Sequence, residues 1–182
     1  MKAQKRAKQG VAFSAKELAR TSVFVATVIG AQYALAAVPF VEIVSLLFAC
    51  YAYAFGAVRG GVAAVVFALL RQLLFGFYPV VLVLYLVYFP LLCLAFGLLG
   101  KSSLSGWRLL ALAVVVAVLC TACFTLFDNV LTPLYHGYTQ KAARLYFKAS
   151  LPFLIGQTVC VGVSVAVLFL PLTKALLFVK KI

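Results

Sequence analysis

The sequence predicts an all-α, polytopic membrane protein: six transmembrane helices with both termini in the cytoplasm. Three observations carry that prediction. The chain is 66% hydrophobic with a mean hydropathy of +1.17, far above a soluble domain. Only three acids, Glu17, Glu42 and Asp128, occur in its 182 residues, too few charges to cover a water-facing surface. The apolar residues fall into runs close to the roughly 20 residues that cross a bilayer core. Six such runs leave no room for a soluble domain of ordinary size. Residues 1–20 are read as a basic cytoplasmic segment and 21–182 as a single transmembrane domain.

The elements follow in order. Lys2, Lys5, Arg6, Lys8, Lys16 and Arg20 make the N-terminal segment basic, with an amphipathic surface stretch expected near 11–19. The basic stretch, the apolar run and Ala34-Leu35-Ala36 fit a signal-peptidase pattern. The long leader and the Gln32-Tyr33 pair just before that site favour an uncleaved first span instead. Span 1 covers 21–38 and stops at Pro39. It carries Ser22, Ala26, Gly30 and Ala34 four apart on one helix face. Small residues so spaced admit a second helix backbone, which is how helices associate in lipid. The rest of the chain is expected to be organised around this helix.

Span 2 covers 42–58 and turns at Arg59-Gly60-Gly61 into span 3, 61–77, which Gly76 and Pro79 end. Gly56, Gly60 and Ala64, four apart, favour a tight helix crossing there. Span 4 covers 80–99, with Pro90 expected to kink it. A polar turn at 100–106 leads to span 5, 108–131. Residues 132–149 form the longest connection, and span 6, 150–172, opens at Ser150 and Pro152.

Orientation follows from Lys and Arg. With six spans, twelve basic residues share the side of the termini: six before span 1, then Arg59, Lys101, Arg108, Lys174, Lys180 and Lys181. Four lie toward the other side: Arg71, Lys141, Arg144 and Lys148. The termini are therefore assigned to the cytoplasm and 132–149 to the outside. The net charge of +13 is spent on topology and anionic lipid, not on nucleic acid.

Polar residues within the spans gather in the outer half. Gln32, Arg71 and Gln157 each fall six or seven residues from an outer end, about 9–10 Å deep at a helical rise. Glu42, Asp128 and Asn129 sit at outer helix ends, and Tyr85 lies in the outer half of span 4. Charges inside a membrane face protein or water, so these residues are read as lining a cavity open to the outside. With Gln72 beside Arg71, the candidate substrate-binding set is Gln32, Glu42, Arg71, Gln72, Tyr85, Asp128, Asn129 and Gln157. Arg71, Glu42 and Asp128 are expected to be able to meet. Tyr51, Tyr53, Phe55, Phe75, Phe77 and Tyr78 cluster around spans 2 and 3, as an interfacial belt or as walls for a flat heteroaromatic ligand.

The catalytic signatures are absent from the sequence. It has no Walker A pattern, HExxH or GxSxG. Cys50, Cys93, Cys120, Cys123 and Cys160 all lie in apolar runs and read as small hydrophobes, including the Cys120-Thr-Ala-Cys123 pair. His136 reads as a solvated loop residue. No enzyme activity, metal or cofactor is implied.

The stripe on span 1, the PFVEIVSLLFACYAYAFGAVRGGVAAVV stretch at 39–66, Phe55-Gly56 followed by Gly60-Gly61, and Gly97 near the end of span 4 carry a family resemblance. The chain resembles the substrate-binding S component of energy-coupling factor (ECF) vitamin transporters. That resemblance implies an outer-half pocket for a vitamin or related micronutrient, in the cell membrane of a prokaryote. It implies docking through Ser22, Ala26, Gly30 and Ala34 onto a transmembrane T component, coupled to two cytoplasmic ATPases. It does not imply which substrate; Arg71 and the basic outer loop would suit an anion. A self-contained oligomeric transporter and a non-transport scaffold are the alternatives.

Overall fold

The computed structural model describes residues 13–38, 41 and 43–181, and every regular element among them is a helix. We number them α1 (Ala15–Leu35), α2 (Val44–Phe55), α3 (Ala57–Phe75), α4 (Pro79–Leu99), α5 (Gly106–Tyr135) and α6 (Gln140–Lys181). All but α2 are long and apolar enough to cross a membrane, and large apolar side chains such as Leu73, Val115 and Val167 face outward. The fold is that of an all-α membrane protein.

The organising element is α2, not the first span. Ten of its 12 residues are buried, and it packs on each of the other five helices. Around it the neighbours pack in the order α1, α3, α4, α5, α6, and the ring stays open because α1 and α6 do not pack on each other. Phe48 sits at the centre, edge-on to Phe24 at 5.3 Å and to Phe67 at 5.3 Å. Within lipid such burial gains dispersion contacts rather than release from water.

Two helices start earlier than the periodicity predicts, and both for local reasons. Ser14 accepts from the Glu17 amide while Glu17 accepts from the Ser14 amide. This capping box opens α1 at Ala15, so the last residues of the basic segment belong to the first helix. The expected 132–149 connection is mostly helical. Pro133 and Pro152 both lie inside helices, and only 136–139 separate α5 from α6. Proline's fixed φ fits a helix, and its lost hydrogen bond is tolerated in membrane helices. Pro90 also lies inside its helix, α4.

The α2–α3 turn lies at Gly56, not at Arg59-Gly60-Gly61, which are inside α3. Gly56 has φ 94° and ψ 162°, a region that only glycine occupies comfortably. The reversal is tight: a Cβ on Gly60 would stand 2.9 Å from the Ala52 Cβ. Gly97 closes the same end, where a Cβ would come within 2.6 Å of the Ala57 Cα.

These contacts define two faces. At the lower face lie the α2–α3 turn, the end of α4, the start of α1 and the end of α6. There Arg59 pairs with Glu17, and Lys180 donates to the Ala54 carbonyl at 2.7 Å. At the upper face lie the end of α1 and the α3–α4 and α5–α6 junctions.

Candidate functional site

A helix of 12 residues rises only about 18 Å. The upper part of the bundle therefore lacks the packing core that α2 supplies below, and polar side chains from the surrounding helices converge there. Gln32 lies three residues from the end of α1 and Arg71 four from the end of α3, while Tyr85 lies six from the start of α4. Phe169 of α6 packs on Tyr53 and Phe96 near the lower face. Gln157, twelve residues earlier, is therefore about 18 Å higher, close to the level of the other three.

Gln32, Arg71 and Tyr85 meet. The Gln32 amide donates to the Tyr85 hydroxyl at 3.4 Å. The Arg71 guanidinium lies 4.9 Å from the centre of the Tyr85 ring and 5.4 Å from that of Phe75, inside cation–π range. Gln32 Oε1 and Arg71 Nε and Nη1 are buried without a hydrogen-bond partner. A cavity of about 80 Å³ opens beside Gln32 and Tyr85, lined also by Ile43, Val44 and Phe89.

Asp128 and Gln157 belong to a second cluster, between α5 and α6. Asp128 accepts from Thr132 at 2.6 Å and from Tyr146 at 2.8 Å. Gln157 accepts from Thr125 at 3.4 Å. A cavity of about 310 Å³ is lined by Phe124, Asp128, Tyr146, Ser150, Phe153 and Gln157, at the lower end of the range for small-molecule pockets. Phe124 joins the clusters: its ring centre lies 6.2 Å from that of Tyr85 and 4.6 Å from that of Tyr88.

The remaining candidates divide. Asn129 is buried with neither side-chain atom hydrogen-bonded. Gln72 is buried too, but its Oε1 accepts from the Tyr78 amide at 2.8 Å, so it ties the α3–α4 turn. Glu42 lies outside the described residues. The expected meeting of Arg71 with Asp128 does not occur. Asp128 is taken up by two hydroxyls, and the one ion pair among the described residues is Glu17–Arg59.

The structure adds residues that the sequence reading left out of the site. Tyr146, Ser150 and Phe153 are the additions, and with the expected Gln157 they repeat at intervals of four, three and four, one helix face. Treating 132–149 as a loop hid that face. Below the layer, Ser45, Tyr88 and Thr121 form a buried chain of hydroxyls at 2.8 and 3.2 Å across α2, α4 and α5. Such bonds hold membrane helices together.

Ser22, Ala26, Gly30 and Ala34 are all exposed along α1, and a Cβ on Gly30 would meet nothing within 4 Å. Cys120 and Cys123 are free thiols on α5, Cys120 half-buried against the core and Cys123 exposed. Among the described residues no three His, Cys, Asp or Glu gather as metal ligands.

The upper layer therefore combines an arginine seated on aromatic rings, an unpaired amide oxygen and a hydroxyl-bonded carboxylate. It can hold a small molecule by charge-assisted hydrogen bonds and ring stacking. Comparison with family models, curated proteins and solved structures finds no match to this chain.

Proposed function

We propose that this chain is the substrate-binding S component of an ECF-type importer in a prokaryotic cell membrane. The observation that carries the reading is the buried polar edge of Arg71 and Gln32 against Tyr85, unpaired among the described residues, at the level where α2 begins. Buried polar atoms without partners are costly, and a ligand that satisfies them converts the cost into affinity. In this reading the upper face looks outward and both termini are cytoplasmic, which puts Arg59, Lys101, Arg108, Lys174, Lys180 and Lys181 inside. In this reading the short helix α2 stands as the sixth crossing.

The bound molecule is a vitamin-sized compound with an aromatic ring and an anionic or carbonyl group for Arg71. The exposed face of α1 at Ser22, Ala26, Gly30 and Ala34 docks on a T component, and two ATPases that T carries supply the energy.

The experiment is mass spectrometry of the full chain purified in mild detergent, followed by thermal shift against a vitamin panel. A stoichiometric vitamin-sized mass, or one compound that raises the midpoint in wild type and not in Arg71→Ala, is the expected result. No retained mass and no shift from any compound would move the reading to a scaffold. Uptake by the chain alone in liposomes would make it a self-contained transporter.

A further inference from the structure

The open edge of the helix ring carries a second site at the lower face. Between α1 and α6 an apolar groove of about 580 Å³ reaches α2, lined by Val23, Phe24, Leu47, Cys50, Leu176 and Val179 among others. It follows α1 from Lys16 to Thr27, about 16 Å of helix, which is the depth of one leaflet of a roughly 30 Å hydrocarbon core. A polar cavity of about 240 Å³ adjoins its mouth, lined by Glu17, Arg20, Tyr51, Phe55, Arg59 and Lys180. Arg20, Tyr51 and Phe55 line both spaces, so the two adjoin.

The charge at this mouth is unbalanced. Three cations surround one carboxylate, and Arg59 holds that carboxylate. Lys180 is tied to a backbone carbonyl. The Arg20 guanidinium lies 5.7 Å from the centre of the Phe55 ring and has no carboxylate partner among the described residues. Its ring contact holds the cation at the junction of polar cavity and groove.

We propose that this junction binds one anionic phospholipid, with the phosphate between Arg20, Arg59 and Lys180 and an acyl chain along the groove. The shape supplies both halves of the ligand: a leaflet-deep apolar slot, and a net positive mouth at the level where headgroups lie. Anionic lipid is attracted to such positions by every nearby cation.

The test uses the full chain in detergent, with native mass spectrometry reading bound lipid. Dioleoyl-phosphatidylglycerol is titrated against dioleoyl-phosphatidylcholine and against inorganic phosphate. One retained phosphatidylglycerol, preferred over phosphatidylcholine, with no effect of phosphate on the thermal midpoint, is expected. Arg20→Gln should weaken phosphatidylglycerol about fivefold and leave phosphatidylcholine unchanged. Ala175→Trp, which fills the groove from α6, should reduce both lipids. Equal retention of the two lipids would reduce the site to ordinary annular contact and overturn the proposal. Stabilisation by inorganic phosphate alone would make it a free-anion site. Undiminished lipid in Ala175→Trp would leave the groove to a partner's helix. Circular dichroism of both variants separates loss of lipid from loss of fold.

Discussion

Arg71 does most to set the chemistry of the upper layer. It is half-buried, stacked between Phe75 and Tyr85, and two of its three nitrogens are buried without acceptors. Among the described residues its neighbours supply rings and an amide, and no carboxylate pairs with it. Arg71→Ala is expected to weaken ligand binding by about 1.5–3 kcal/mol, the worth of a hydrogen bond to a charged group. That is roughly 10- to 100-fold in affinity, with the unfolding midpoint of the unliganded protein little changed. Thermal shift against the retained compound reads both. An unchanged affinity would make Arg71 a snorkelling residue. Asp128 behaves differently: Thr132 and Tyr146 both donate to it, and the bond from Tyr146 joins α5 to α6.

At the scale of elements, α2 sets the architecture because it is short. Its lower end is pinned by close backbone approaches that only glycine permits. Gly97→Ala forces a methyl group against the backbone of Ala57, where no flexible side chain can move aside. Overpacking of this kind costs about 1–3 kcal/mol. We expect a lower unfolding midpoint in detergent and weakened packing of α4 on α3; an unchanged midpoint would mean that the helices separate freely there. The upper end of α2 is free of such constraints, and the polar layer forms above it. The same shortness explains why the turn sits at Gly56: the helix stops where the chain can reverse, several residues before the Arg59-Gly60-Gly61 signal.

For the whole molecule the prediction concerns surfaces. Gly30 faces outward with open space around it, so Gly30→Leu should fold and bind its small molecule normally. Placed in the middle of the small-residue stripe, the leucine should block close helix docking. Co-purification with a T component and ATPases reads that loss; assembly unchanged in Gly30→Leu would move the docking face elsewhere. Sidedness is tested separately. A membrane-impermeant thiol reagent should label His136→Cys in intact cells, and Lys101→Cys only after permeabilisation. The reverse pattern would turn the protein over and place the upper cavity inside.

Much of this was legible in the chain. Helical class, membrane character and the approximate bounds of α1, α3 and α4 at the upper face followed from apolar runs and from where Lys, Pro and Gly interrupt them. The levels of Gln32 and Arg71 near the ends of α1 and α3 followed from a fixed rise per residue, whereas that of Gln157 was counted from Ser150, ten residues after α6 starts. Hydropathy could not separate 42–58 into a central 12-residue helix and the start of its neighbour, because both are equally apolar. It could not show that Pro133 and Pro152 are carried inside helices, because proline stops a helix in water and is tolerated where neighbouring helices re-satisfy the backbone. Sequence alone therefore determined how far along their helices the polar residues of α1 and α3 lie, and missed the start of α6. Only tertiary structure decided which of them face one another: Gln32 and Arg71 with Tyr85, Asp128 with Tyr146, and Arg71 apart from Asp128. Depth along a helix is a local, periodic quantity, whereas rotation about its axis is set by packing against α2.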